Sequence, residues 1–442
     1  MKNKSFHIIS LGCAKNTVDA DSMAALLSRA GYQLVISPKQ AHIIIINTCG
    51  FIDIAKDESY STLAKFAQRK KPGQILIAAG CLTQRYGNSV MQKVAGVDAI
   101  IGTRGWMQIV ELADSLCANN VSPSDIQIDD ATPCDERGTP RFSIQGASAY
   151  LKIADGCSRN CAFCAIPSIK GPAVSRPMDA ILAEARQLQE RGIREIVLIA
   201  QNSTDYGHDL GMQNGLAQLL SEMTKAAPDV DWLRIMYAYP GFVADELIEV
   251  MATSKQIVPY LDMPLQHAHP DVLRRMHRPA NIDWAYKTLD KMRKSMPNLA
   301  LRSTFIVGYP NESEEEFQTL LDFIDEIRFD KLGAFKFSFE AGTPSEILGD
   351  TIPEEVKEER TKRLMEKQQN ISLAHNQEFV GRELDVLVEG TGDGISVGRS
   401  YRDAPEVDGL VLIKSVATIG DIVPVRITEA MPYDMSGVVD IQ

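Results

Sequence analysis

The chain reads as an α/β protein in three parts: an N-terminal parallel α/β sheet domain, a partial (β/α) barrel and a small five-stranded OB-like β-barrel. Three observations predict this. Short apolar runs alternate with amphipathic helical patterns as far as residue 337, and a long charged helix over residues 354–377 then ends the alternation. The third observation is that six of the eight cysteines fall into two sets of three, Cys13, Cys49 and Cys81, then Cys157, Cys161 and Cys164. A length of 442 residues suits about three domains. Their bounds are 1–117, then a linker over 118–142, the barrel with its exit helix over 143–376, and the last module over 377–442.

In the first domain, apolar runs at residues 6–11, 42–46 and 75–79 each end within a few residues of a cysteine. Between them, Met23, Leu26, Leu27 and Ala30, then Tyr60, Leu63, Ala64 and Ala67, repeat at helical spacing. Strand, helix, strand, helix, strand predicts a parallel sheet, whose carboxyl ends collect ligands. Cys13, Cys49 and Cys81 fall at three such ends and are expected to converge, although a lone reduced cysteine is ordinarily a small buried hydrophobe. Arg69, Lys70 and Lys71 read as a solvated cationic helix end.

The linker is polar and bears prolines; Cys134 inside it and Cys117 before it read as bystanders. Strands are expected at 149–154, 195–200, 233–237, 260–263, 301–307 and 332–337, with helices such as 178–191 and 313–327 between them. Six strand-helix units suggest a barrel-like sheet that is not fully closed, with its site at the carboxyl ends of the strands. The Cys157-x3-Cys161-x2-Cys164 loop follows the first of them. Beyond residue 381, β-rich runs at 384–388, 409–413, 422–427 and 437–441 are separated by Gly, Asp and Pro.

The formal net charge of −12 argues against a dominant nucleic-acid surface. No apolar run reaches the ~18 residues of a membrane span. The stretch before Cys13 is shorter than the roughly 7–15 apolar residues of a signal core. Unpaired thiols suit a reducing cytoplasm, the expected location.

The C-x3-C-x2-C run lets one loop deliver three soft thiolates to one face of an iron-sulfur cube. Three thiolates on four irons leave one iron without a protein ligand. Zinc is the rival, but no second Cys-x2-Cys or His pair stands nearby. At these residues the chain resembles the radical S-adenosylmethionine (SAM) enzymes. The resemblance to their methylthiotransferase branch covers essentially the whole chain. It is carried by residues 12–19 (GCAKNTVD), Asn47-Thr48-Cys49, Ala79-Gly80-Cys81, residues 164–171 (CAIPSIKG), Ser175-Arg176-Pro177, residues 263–267 (MPLQH), Gly398-Arg399-Ser400 and residues 403–409 (DAPEVDG). Lys170 departs from the pattern, which more often has Arg; it keeps the charge and loses the bidentate geometry.

The resemblance implies two 4Fe-4S clusters, with SAM as methyl donor and radical source, and makes the last module a TRAM-like barrel. Cys157, Cys161 and Cys164 would hold the SAM-binding cluster, and Cys13, Cys49 and Cys81 the cluster presenting the sulfur. The implied substrate is an aspartate of small-subunit ribosomal protein S twelve, which gains a methylthio group on its β-carbon. A low-potential electron donor such as flavodoxin or ferredoxin is implied as well. Gln201, Asn202 and Tyr206, following the second barrel strand, are candidates to touch SAM or are ordinary loop residues. His267 and His269 are expected to cap or pack locally, the alternative being substrate contact.

Relatives acting on transfer RNA adenosines are the alternative. Residues 377–442 hold five cations against twelve acids, an imbalance of −7 that repels phosphates and suits a basic protein partner. A non-catalytic electron-transfer protein is the remote alternative, since such a carrier needs neither open irons nor a strand-helix barrel.

Overall fold

The computed structural model describes residues 4–118 and 138–439, so Cys134 and most of the assigned linker lie outside the described residues. Strands β1 (Ser5–Ser10), β2 (Gln33–Leu34), β3 (Ile43–Thr48), β4 (Ile75–Gly80) and β5 (Ala99–Gly102) form one sheet in the order β2-β1-β3-β4-β5. All its ladders are parallel. The three apolar runs are its central strands, and β3 is buried throughout, as an unbroken apolar run requires. The two-residue, exposed β2 and four-residue β5 are too short to announce themselves by pattern. Helices α1 (Ala14–Arg29), α2 (Asp53–Arg69), α3 (Cys81–Tyr86), α4 (Ser89–Lys93) and α5 (Ile109–Cys117) complete the domain. Lys70, expected to be solvated, instead reaches the Asp98 carboxylate at 2.7 Å and the Gly96 carbonyl at 2.8 Å.

The second domain opens with an antiparallel hairpin, β6 (Phe142–Gln145) and β7 (Ser148–Lys152), which the sequence pattern did not reveal. A short ribbon, β8 (Ala154–Asp155) with β9 (Val174–Ser175), then brackets the cysteine loop. Strand β7 continues in parallel into β10 (Glu195–Ile199) and β11 (Trp232–Ile235). A Leu233–Ile257 bridge leads on to β12 (Tyr260–Asp262), β13 (Ala300–Val307) and β14 (Lys331–Lys336). No ladder among the described residues joins β14 back to β6, so the barrel is open. Helices α6 (Ile166–Lys170), α7 (Met178–Glu190), α8 (Gly215–Ala226), α9 (Asp245–Thr253), α10 (Pro270–Arg275), α11 (Asp283–Ser295) and α12 (Glu314–Ile327) punctuate the strands. The last starts at a reciprocal Ser313–Glu316 capping box. Helix α13 (Glu354–Gln377) leads out to a closed five-stranded barrel of β15 (Glu383–Gly392), β16 (Ile395–Ser400), β17 (Val411–Ile413), β18 (Ile422–Ala430) and β19 (Met435–Val438).

An open barrel must bury its inner face against something. Tyr150, Val197, Ile199 and Tyr260 share one buried cluster with Ala14 and Val18 of α1 and with Leu387 and Ala404 of the terminal module. Polar networks fix both plugs. On one side, Asp19 pairs with Lys152 and with Lys170 at 3.3 Å, and Asp155 holds the same two ammonium groups at 3.0 and 2.9 Å. On the other, Arg399 and Arg234 grip the fully buried Glu195 at 2.6 and 2.7 Å. Lys331 pairs with Asp403 at 2.6 Å, Arg402 with Asp330 at 2.7 Å, and the Tyr260 hydroxyl donates to Asp408 at 2.7 Å. Residues 398–409, which carried the most discriminating part of the resemblance, thus form the dock of the terminal module. No described helix is long and apolar enough to cross a membrane.

Removing one partner of a buried ion pair leaves an uncompensated charge, so Asp19→Asn is expected to cost roughly 3–5 kcal/mol in urea unfolding. Burial by itself would raise the Glu195 carboxyl, but Arg399 and Arg234 overcome it and hold it at about 2. A carboxyl depressed from 4.5 gives stability that is complete above that value and lost as pH falls toward about 2. Glu195→Gln is expected to lower stability at neutral pH and to flatten that acid limb; urea titrations across pH check both.

Candidate active site

Three neighbouring strands deliver the first cysteine set. Cys13 precedes α1 just beyond β1, Cys49 directly follows β3, and Cys81 opens α3 directly after β4. Gly12 permits the approach: at φ +93° its backbone is in a region that L side chains rarely adopt, and an added Cβ would lie 3.1 Å from Cys49 Sγ. Asn16 ties the three ends together. Its Nδ2 donates to the Leu11 carbonyl at 2.8 Å and the Thr48 carbonyl at 3.1 Å, while the Cys81 thiol faces its Oδ1 at 3.7 Å. Asn47 Nδ2 returns a bond to the Asn16 carbonyl at 2.7 Å. Both asparagines stand in the quoted motifs, yet their tying role is invisible without the fold.

The second set sits on the loop between β8 and α6. The Cys157 N–H donates to the Gly171 carbonyl at 3.0 Å, the Cys164 N–H to the Cys161 carbonyl at 3.1 Å, and the Ile166 N–H to Cys164 Sγ at 3.4 Å. Around Cys161, Arg278 Nη1 donates to Sγ at 3.6 Å and the Tyr239 hydroxyl lies 3.7 Å away. The Arg278 guanidinium also stacks on Tyr239 at 4.4 Å. Neither residue carried a motif, because 117 positions separate Arg278 from the sulfur it touches.

The two sets meet. Cys81 shares a buried apolar cluster with Ala165 and Ile169, the residues that follow Cys164. Burial pushes the Cys81 thiol up to about 12 against the pull of the Lys170 ammonium, and burial likewise lifts Cys164 to about 12. Burial raises Cys49 and Cys157 as well. Metal binding here must therefore displace protons. All seven described cysteines are free, and each trio offers soft donors of the kind an iron-sulfur cluster takes. Cys117 stands apart, at the amino end of the sheet, 3.7 Å from His42 Nδ1.

A cavity of about 310 Å³ lies where the three domains converge, between Cys13, Tyr150, Tyr237 and Glu406. Gln201 comes near the Lys152–Asp155 network, its Nε2 donating to Asp155 at 3.1 Å and its buried Oε1 free of any partner among the described residues. Asn202 accepts from Thr204 at 2.7 Å and has an unpartnered Nδ2. Tyr206 is placed differently: its ring belongs to the main core and its hydroxyl donates to the Arg176 carbonyl at 3.0 Å. His267 is fully buried; its Nδ1 accepts the His269 N–H at 3.0 Å, which leaves Nε2–H to donate to Glu312 at 2.9 Å. Burial keeps that imidazole neutral by lowering its pKa. His269 caps α10, accepting the Asp271 N–H at 3.2 Å. Both histidines act locally. Lys170 serves the Asp19–Asp155 network, reaching Asp19 at 3.3 Å and both oxygens of Asp155 at 2.9 and 3.2 Å, contacts that a point charge can make without a guanidinium fork.

Three family models match in succession: an uncharacterized protein family, UPF0004, over residues 5–102, the radical SAM superfamily over 151–324, and the TRAM domain over 380–439. Among curated relatives, ribosomal protein uS12 methylthiotransferase RimO of Roseiflexus sp. (strain RS-1) is 46% identical, covering 98% of this chain and 96% of its own. RimO of Chloroflexus aurantiacus is 47% identical over 98% and 99%. Among solved structures, the radical SAM methyltransferase TsrM of Kitasatospora setae superposes with a TM-score of 0.58 at 12% identity, over 92% of this chain and 82% of that one, a likeness of fold. On the strength of near-full-length identity well above 30%, the chain belongs to the ribosomal protein uS12 methylthiotransferase RimO family.

Proposed function

We propose that this chain is a radical SAM methylthiotransferase that places a methylthio group on the β-carbon of an aspartate of ribosomal protein uS12. The observation that carries the reading is the packing of Cys81, from the first thiol trio, on Ala165 and Ile169, just past the second trio's loop. Cys157, Cys161 and Cys164 hold the 4Fe-4S cluster that binds SAM, and Cys13, Cys49 and Cys81 hold a second one. When bound, such a cluster and SAM supply the one-electron chemistry that takes hydrogen from an unactivated carbon. The chain's own residues do the rest. Asn16 and Asn47 hold the first three strand ends in register, and Arg278 and Tyr239 direct N–H and O–H groups at Cys161 sulfur, contacts of the kind that tune a cluster's potential. The free polar atoms of Gln201 and Asn202 offer donor and acceptor to SAM.

The terminal module supports a protein substrate over transfer RNA. Its dock takes up Asp403 and Asp408 along with Arg399 and Arg402, Arg399 also holding Glu389 of the module at 2.7 Å, so acids still outnumber cations outside the dock. Such a face attracts a basic ribosomal protein and repels phosphates. A cytoplasmic setting, with a flavodoxin or ferredoxin as electron donor, completes the proposal.

Anaerobically reconstituted protein with reductant and SAM is expected to add one methylthio mass to a uS12 aspartate. Mass spectrometry showing modified transfer RNA and untouched uS12 would refute the assignment. The trios should also separate. Cys161→Ala is expected to abolish 5′-deoxyadenosine formation. Cys81→Ala is expected to retain it, to lose transfer and to carry roughly half the iron.

A further inference from the structure

Lys15 stands in an unusual position among the lysines of the core. Lys152, Lys170, Lys331 and Lys357 each face a carboxylate. Lys15 is partly buried in the first turn of α1, and among the described residues no carboxylate pairs with it. Its Nζ lies 3.6 Å from the centre of the Tyr237 ring. A ring face satisfies a cation only in part and leaves ammonium N–H groups for another acceptor.

The platform beneath it is fixed by unusual backbone. Tyr237 is held at φ 63°, a region costly for a bulky residue. Its N–H donates to Asp262 at 3.1 Å, and its carbonyl accepts the Ser203 N–H at 3.0 Å. Both clamps belong to the barrel's strand ends, so the strain is imposed by the scaffold on the residue that carries Lys15. Tyr237 also lines the 310 Å³ cavity with Cys13, two positions from Lys15 in the chain. Pro405, Glu406 and Val407 of the terminal module line the same cavity.

We propose that Lys15 is the substrate-binding residue that receives the side-chain carboxylate of the aspartate to be modified, an inference that rests on the aspartyl-protein reading above. A carboxylate held by this ammonium keeps the β-carbon one bond away, beside the Cys13 loop. Asparagine has the same shape without the charge, so Lys15 makes the site selective for aspartate.

The test uses reconstituted holoenzyme and three basic peptides identical except for a central Asp, Asn or Ala. Binding is followed by fluorescence anisotropy, and KM and kcat are measured on the Asp peptide. The wild type is expected to bind Asp over Asn by about tenfold or more, the size of a charge-assisted contact in a water-poor site. Lys15→Met is expected to bring that ratio near one and to raise KM, and Lys15→Arg to restore much of the preference. Iron content is measured for each variant. An unchanged Asp-over-Asn ratio in Lys15→Met would overturn the inference, as would loss of iron with the ratio intact. A wild type that neither binds nor modifies the Asp peptide but modifies transfer RNA would instead overturn the substrate assignment.

Discussion

Two carboxylates and two ammonium groups, Asp19 and Asp155 with Lys152 and Lys170, hold the rest of the molecule in place. They join α1, which directly follows Cys13, to β7, to β8 and to α6, the helix that follows Cys164. All four charges are buried, so no member can leave without stranding another in a low-dielectric interior. The arrangement is stiff because it is alternately charged and closed. Lys170 also touches the electrostatics of Cys81, so the same network that fixes the domains sets the field between the two thiol sets.

The open barrel makes this network necessary. A closed (β/α) barrel fills its own interior with side chains, but six parallel strands that never close leave an inner face bare. Here α1 and the terminal module fill it from two directions. Each of the three domains keeps a core of its own, and all three contribute to one further shared cluster. The 310 Å³ cavity lies at their common boundary, with walls from each.

Much of this was legible in the sequence, for physical reasons that can be named. Fully buried parallel strands read as apolar runs, and cysteines placed just past neighbouring strand ends come together in the fold. The unread features are those set by tertiary contact. Strand β6 is a four-residue edge strand paired along one side only, and β16 carries Arg399, which docks onto the barrel domain. The tie made by Asn16 and the clamp of Arg278 on Cys161 depend on approach between distant segments, which no local period records. Tyr206 had the right position in the chain to meet a cofactor but points into the core, since a loop position does not determine its side chain's direction. The dock of the last module takes up charges of both signs, Arg399 and Arg402 as well as Asp403 and Asp408.

The insertion of residues 401–408 into the barrel also governs when the molecule becomes competent. During synthesis the cysteine loops and all six barrel strands emerge first, yet one wall of the cavity is made by Pro405, Glu406 and Val407. Until these arrive, the inner face that Leu387 and Ala404 cover stays exposed to water, and the site stands open on one side. A chain that ends before residue 401 thus presents both cysteine sets with the cavity lacking the wall that residues 405–407 supply.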